Sequence, residues 1–220
     1  LAAAWFAPPA VKPWGIEGSV WSGRAAGVVL QGQDLGALSW NAGLLPALAL
    51  QPAWDFGLRR PDGFAEGRIQ VGLLGGRLGL EDFRAALELG TLPRMVVPEG
   101  TAGQARIELE RLAVRDAWPT EVVGWATVTQ LELPGVILAL GPFEFRFEPQ
   151  DGPPVGRITS LGGPLAVDGR IELPAPRQWR FSAELAPGED PPRELVDGLK
   201  FVGEDIGDGR RRLELGSEPE

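Results

Sequence analysis

The chain has 220 residues, of which 31 are Gly and 21 are Pro, and its net charge is -9. It contains no Cys, His or Tyr, so disulfide bonds, thiol nucleophiles, imidazole bases and the usual Cys/His zinc sites are excluded. The negative charge disfavours binding to nucleic acid or to anionic lipid headgroups through charge. Hydrophobic residues make up 44% of the chain, which is enough for a core, so the Gly and Pro content indicates many turns rather than disorder.

The beginning of the chain is apolar and leads into Pro8 and Pro9. Because the sequence starts at Leu1 rather than Met, we interpret residues 1–14 as a stub that follows a removed membrane anchor or signal peptide. Residues 15–216 are predicted to form one β domain, with a division into two lobes near residues 92–104 as the alternative, and residues 217–220 form a tail. No apolar run is long enough for a helix that spans a membrane.

Most of the remaining chain alternates between apolar and polar residues. The clearest examples are residues 69–73, 106–110, 143–148, 170–173, 179–185 and 212–215. A period of two with one polar face is typical of half-buried antiparallel strands. The predicted fold is therefore mainly all-β, either a strongly curved antiparallel sheet or a β-sandwich-like arrangement.

Gly and Pro residues punctuate these runs at the spacing expected of hairpins. Three Asp-Gly pairs lie between strand-like runs, at Asp62 and Gly63, at Asp168 and Gly169, and at Asp208 and Gly209. Because Asp-Gly tolerates the positive φ of two-residue hairpin turns, we predict a tight turn at each pair.

One short helix is predicted in the C-terminal region, over residues 191–202. The segment opens with two Pro residues, and Leu195, Leu199 and Val202 fall at helical spacing. Residues 80–89 fit a helix or a strand. Residues 44–50 are apolar and interrupted by Pro46, which is typical of a connector.

The acidic residues suggest no catalytic or metal site. Three adjacent pairs occur, at Glu81 and Asp82, at Glu189 and Asp190, and at Glu204 and Asp205. Neighbours on a strand point to opposite faces, so these pairs are expected to be surface charge rather than a catalytic dyad. The glycine-rich residues 72–79 match no nucleotide-binding motif. We predict no catalytic residue, no cofactor and no metal.

Eight Trp residues are spread along the chain. Most are expected to be core or sheet-covering residues. Trp118 and Trp125 are predicted to lie in a partner-binding surface, because exposed aromatic residues mark interfaces.

Two groups of residues carry a family resemblance. Residues 15–25 hold Gly18, Trp21 and Gly23, and Trp40 follows in a second short motif. Residues 161–169 form a Leu-Gly-Gly-Pro-Leu motif with its continuation, which contains Gly162, Gly163, Pro164, Asp168 and Gly169. The order and spacing of these motifs resemble the periplasmic region of type II secretion system protein N, from about residue 15 to residue 215.

This resemblance implies an accessory protein of the secretion apparatus that performs no chemistry. It further implies a periplasmic location with an inner-membrane anchor in the full-length protein, so that contact with the membrane occurs only through a segment outside this chain. The implied partners are inner-membrane platform components and the outer-membrane secretin, with no nucleic acid.

Two other functions remain open from the residues alone. The apolar strand faces would suit a groove for a lipid or another hydrophobic ligand. Exposed Trp residues on a sandwich would suit carbohydrate binding.

Overall fold

The alternating segments form strands of one antiparallel sheet in the computed structural model, which describes residues 11–30, 32–42, 52–72, 76–92, 97, 99–135 and 139–217. The strands are β1 (Val11–Gly18), β2 (Ser22–Leu30), β3 (Gln33–Asp34), β4 (Ala37–Ala42), β5 (Ala53–Arg60), β6 (Gly63–Val71), β7 (Arg77–Glu88), β8 (Ala102–Arg115), β9 (Trp118–Glu132), β10 (Phe143–Phe147), β11 (Val155–Ser160), β12 (Leu165–Ala175), β13 (Gln178–Pro187), β14 (Glu204–Gly207) and β15 (Arg210–Gly216).

The sheet is a long meander with one change of order at its end. From β1 to β13 each strand pairs with the next, apart from the short β3, which pairs with the end of β2 and leaves β4 to continue the path. After β13 the chain passes outward to β14 and returns as β15 between β13 and β14. The two edges, β1 and β14, do not meet, so the sheet is open. The prediction of a mainly antiparallel all-β fold is confirmed, and the strands join one sheet rather than two.

The predicted C-terminal helix is confirmed. Helix α1 (Arg193–Leu199) follows Pro192 at its N-cap and connects β13 to β14. It is shorter than the 191–202 expected from the apolar spacing, because after Leu199 the chain turns through bonds from Lys200 N–H to the Asp197 and Gly198 carbonyls. Within the described ranges, no helix has the length and apolar character needed to cross a membrane.

Of the two alternatives for residues 80–89, the strand is correct. Residues 80–88 belong to β7, and Leu89 begins the 3-10 turn at Leu89–Thr91 that follows it. Asp82 adopts a left-handed φ of 50° at a register shift against β6. The extra residue keeps Leu80 and Phe83 on the same face although they are three positions apart. The connector predicted at 44–50 lies outside the described residues.

The hairpin prediction is correct at one Asp-Gly pair and wrong at another. Asp208 and Gly209 form the β14–β15 turn, with φ values of 54° and 71°. The β5–β6 turn uses Pro61 and Asp62, and Gly63 already belongs to β6. Asp168 and Gly169 instead lie inside β12, paired with strands on both sides. Their strand pairing on both edges overrides the local turn preference.

Strands extend or pair across both boundaries predicted from the sequence, the one at residue 15 and the one near residues 92–104. β1 begins at Val11, inside the segment interpreted as a stub. β7 and β8, which flank most of residues 92–104, pair from Arg77 opposite Arg115 to Glu88 opposite Gln104. The division of the chain into stub, domain and tail stays a prediction.

The main buried cluster lies where α1 covers the sheet. Leu199 of the helix is buried together with Phe143, Leu165 and Leu185 of strands β10, β12 and β13. Leu195 and Val202 pack against the same cluster from the helical side. The helix therefore covers one part of the apolar face and leaves Phe145, on the same face, partly exposed.

Candidate interaction surfaces

The strand registers place an unbroken row of apolar residues across thirteen strands. Residues directly opposite each other on paired strands point to the same face, so the successive partners can be followed from β1 to β15. They are Ile16, Ala25, Leu38, Leu58, Ala65, Ala85, Ile107, Ala126, Phe145, Ile158, Gly169, Ala183 and Leu213. No charged or hydrogen-bonding side chain interrupts this row.

A second row runs beside the first, two residues away on each strand. Its members are Gly18, Gly23, Trp40, Phe56, Gly67, Phe83, Leu109, Gly124, Phe147, Gly156, Ile171, Phe181 and Leu215. Gly67 and Phe83 meet at the register shift, and the rings of Phe56 and Phe83 stack beside them with centroids 6.3 Å apart. We call the two rows together the apolar track.

Aromatic rings of the track lie over glycines of neighbouring strands. The Trp40 ring covers Gly23, where a Cβ would come 2.5 Å from the ring. The Phe147 ring covers Gly156 at the same distance. Rings that cover glycines shield the backbone and pin the register of the strands, so these glycines are part of how the track is packed.

The opposite face of the sheet is polar and carries a lattice of ion pairs. Its pairs join neighbouring strands or neighbouring positions of one strand: Arg24–Glu17 at 2.5 Å, Arg59–Glu66 at 3.1 Å, Arg68–Asp55 at 2.8 Å, Arg111–Glu121 at 2.9 Å, Arg146–Glu144 at 3.1 Å, Arg157–Asp168 at 3.6 Å and Arg170–Glu172 at 2.8 Å. The side chains are about half exposed, so each pair contributes little to stability. The pKa of the Arg68 guanidinium is raised above its ordinary value, chiefly by its hydrogen bond to Asp55.

A shallow depression of about 530 Å³ lies on this polar face between β10 and β15. Arg146, Arg157 and Arg170 stand opposite one another on three successive strands at its side. Each of the three is paired with a carboxylate. The charges of the depression therefore balance one another, and no net basic site results.

Exposed apolar side chains collect at the β1 edge of the sheet. Trp14 is 55% exposed, Ile16 40% and Trp21 52%. Trp14 and Ile16 are on β1 itself, and Trp21 lies in the turn to β2. We call these three residues the β1-edge cluster.

The two Trp residues predicted from the sequence lie elsewhere and are half-buried. Trp118 opens β9 opposite Arg115, and its buried Nε1 has no hydrogen-bond partner among the described residues. Trp125 lies on the polar face, between Glu108 of β8 and Arg146 of β10. Their role as partner contacts stays a prediction.

The first family motif builds the β1–β2 hairpin and fixes it to β4. Gly18 has φ of 102° at the turn, and the Ser19 hydroxyl accepts hydrogen bonds from the backbone N–H groups of Trp21 and Ser22. Trp40 Nε1 donates to the Ser19 carbonyl at 2.9 Å. The Trp40 side chain thus both bonds to the turn and covers Gly23.

The second family motif joins β11 to β12. Gly162 and Gly163 form the turn with positive φ, and a Cβ on Gly163 would collide with the Gly141 carbonyl. The Pro164 carbonyl accepts a hydrogen bond from the Gly188 N–H at 2.8 Å. The motif brings three separate loops together at one end of β10–β13.

The acidic pairs of the sequence do not converge on a site. Glu81 stands opposite Arg68 and Arg111 on the polar face, whereas Asp82 occupies the register shift. Asp205 pairs with Arg211 at 3.0 Å. Within the part of the chain that the structure describes, no group of three or more acidic residues could hold a metal ion.

The apolar track was not found from the sequence, although each strand was read as alternating. Two register shifts hide it: the extra residue at Asp82 in β7, and the shift between Leu109 and Arg111 in β8. Each shift changes the phase of the alternation within one strand. The one available signal is the three-residue spacing from Leu80 to Phe83 and from Leu109 to Leu112.

Comparison with known proteins identifies the family. The model of the family "Type II secretion system (T2SS), protein N" matches residues 9–214. Type II secretion system protein N of Aeromonas hydrophila is 28% identical over 212 residues, which cover 92% of this chain and 82% of that protein. The protein of the same name from Vibrio cholerae serotype O1 is 27% identical over 215 residues, covering 92% and 83%.

No solved structure matches the chain significantly. The family match extends from before β1 into β15 and so includes the sheet up to residue 214. The chain therefore belongs to the type II secretion system protein N family.

Proposed function

We propose that this secretion-system component is a non-enzymatic docking protein. It acts in the periplasm, is anchored to the inner membrane in its full-length form, and binds inner-membrane platform components, the secretin, or both. Membership of the protein N family supports a role in the secretion apparatus. The β1-edge cluster supports docking.

The β1-edge cluster is the observation on which the proposal rests. Trp residues are enriched in protein interfaces, and they often contribute most to the binding energy when they are desolvated. Trp14 and Trp21 each expose more than half of their surface, and both belong to the hairpin built by the first family motif. A partner that covers this hairpin would bury both indoles at once.

Trp118 and Trp125 define a second candidate contact. Trp125 is half-buried among the charged side chains of the polar face, where its neighbours on the paired strands are Glu108 and Arg146. A partner that binds there would meet charges of both signs, so this contact would weaken with salt.

Binding measurements with purified periplasmic domains test the proposal. The domains of the platform components and of the secretin are titrated separately against the chain up to tens of micromolar. We expect saturable binding to at least one of them. A lack of binding to all of them in this range would overturn the docking role.

Substitutions then locate the surface. Replacing Trp14 and Trp21 by Ala should weaken binding at least tenfold, as expected for interface Trp residues. Trp179→Ala is the matched control, because Trp179 is also exposed, at 37%, and lies near the opposite edge. A loss of affinity in Trp125→Ala alone would assign the contact to the polar face instead.

A further inference from the structure

We propose that the apolar track holds the acyl chains of a phospholipid, laid across the strands of the sheet. This inference goes beyond the docking role and does not depend on it. It rests on three properties of the track: its continuity, the absence of side chains with free hydrogen-bonding groups, and its open end at β1.

The track continues across the sheet without a polar interruption. Thirteen strands have twelve intervals, so the track runs for about 58 Å along the sheet at the usual strand separation. Its two rows contain only apolar side chains and glycines from Ile16 and Gly18 at one end to Leu213 and Leu215 at the other. Helix α1 covers the part near β13 and β15, where the track residue Ala183 is buried in the cluster with Leu199 and where Phe145, Phe181 and Leu213 pack against that cluster.

The lack of polar groups argues for a hydrocarbon rather than a protein partner. Two rows of side chains present a strip about 14 Å wide, and a protein interface of that area, about 800 Å², would carry about four to eight hydrogen bonds. The one hydrogen-bonding side chain in the track is Trp40, and its Nε1 already donates to the Ser19 carbonyl. Even homodimer interfaces are only about 65% apolar.

The direction of the track excludes an added peptide strand. A strand laid across the sheet would face side chains rather than strand edges. Its backbone N–H and C=O groups would lie against apolar surface without partners, which is strongly unfavourable. An acyl chain has no hydrogen-bonding groups, so it leaves none without a partner when it lies across the strands.

The β1 end of the track is open, and the side chains that follow it are only half-buried. Ile16 is 40% exposed at this end, and Leu58, Phe83 and Ile107 are half-buried further along the track. At the other end, Ala183 is buried in the cluster that α1 covers. An acyl chain can therefore enter at the β1 edge and contact the half-buried side chains beyond it.

A fluorescent lipid tests the proposal with a matched pair of variants. The full chain is titrated with a phospholipid that carries an NBD fluorophore on one acyl chain. We expect a saturable rise in fluorescence. Ala126→Trp, which puts an indole into the track between Ile107 and Phe145, should weaken binding at least tenfold. Thr127→Trp puts the same group on the polar face of the same strand and should leave binding unchanged.

A photoreactive lipid gives a second measurement that does not depend on how the variants fold. A phospholipid with a diazirine in its acyl chain is cross-linked to the unmodified chain, and the labelled peptides are mapped by mass spectrometry. Labels at track residues such as Leu58, Ile107 and Phe145 support the proposal. Labels on the polar face, no saturable fluorescence, or equal effects of the two Trp variants overturn it. A dimer that light scattering detects and that lipid does not dissociate would assign the face to a second copy.

Discussion

At the scale of single residues, the pairing of aromatic rings with glycines is the most local source of order in the sheet. Gly156 and Gly23 lie in strands, where glycine is usually unfavourable because it has no side chain to pack. Here the missing side chain leaves room for the rings of Phe147 and Trp40. The glycine and the ring therefore act as one packing unit across two strands.

Gly156→Ala tests this unit. The added Cβ would come 2.5 Å from Phe147, so the ring must move, and we expect a loss of about 1–3 kcal/mol in the free energy of unfolding. Gly79→Ala is the control, because Gly79 is also in a strand and a Cβ there would have its nearest neighbour at 3.6 Å. Chemical denaturation of both variants measures the difference. Equal effects would mean that the Phe147 contact does not constrain the position.

Ion pairs provide a second prediction at this scale. Arg60 and Asp62 make two hydrogen bonds, at 2.9 and 3.0 Å, and their side chains are only 19% and 27% exposed. Arg111 and Glu121 make one bond at 2.9 Å and are about half exposed. A double-mutant cycle should give about 0.2–1 kcal/mol for the exposed pair and a larger value for Arg60–Asp62. A larger coupling for the exposed pair would contradict this ranking.

At the scale of elements, helix α1 holds the buried cluster at one end of the sheet. Leu199 is 6% exposed and packs with Phe143, Leu165 and Leu185. The helix has only seven residues, so its own propensity contributes little and its position depends on this packing. Leu199 is therefore the buried residue through which the helix packs on the sheet.

Leu199→Ala should lower the free energy of unfolding by about 2–5 kcal/mol, because it leaves a cavity in the cluster. Its neighbour Lys200 is exposed and serves as the control, where replacement by Ala should change stability by at most about 0.5 kcal/mol. Thermal unfolding followed by circular dichroism measures both. A small effect at Leu199 would show that the helix is not needed to hold the cluster.

The elements also show how far the sequence could be read. Alternation predicts strands such as β10, and the spacing of Leu195, Leu199 and Val202 predicts α1, because each pattern is local. The turn predicted at Asp168 and Gly169 was wrong, because pairing with β11 and β13 holds the backbone extended there. The apolar track could not be predicted, since it depends on the register of every strand pair and on left-handed Asp82. The β1-edge cluster was missed because the sequence does not show that β1 is an edge.

At the scale of the whole molecule, the meander means that the stability of each strand depends mainly on the strands beside it. Each strand from β4 to β12 pairs only with strands adjacent to it on the path, as in repeat proteins, where stability is approximately a sum of local terms. The long pairings of β7, β8 and β9 lie in the middle of this path. The edge strands β1 and β14 have one neighbour each.

We therefore expect a gradient of amide protection along the sheet. Hydrogen exchange followed by mass spectrometry should show slow exchange in β8 and β9, and faster exchange in β1 and β14, because edge strands open without disturbing the centre. Uniform protection in all strands, lost in a single transition, would show instead that the sheet unfolds as one unit.

The order of the last two strands has a consequence for biosynthesis. β15 lies between β13 and β14 although it is the last of the described strands to be translated. Until residues 210–216 have been translated and have joined the sheet, the outer side of β13 has no neighbour and β14 has no strand with which to pair. A nascent chain that stalls or is cleaved before Arg210 thus exposes an unpaired strand, the kind of surface that chaperones and proteases recognise. Completing this side of the sheet requires the full-length C-terminal hairpin.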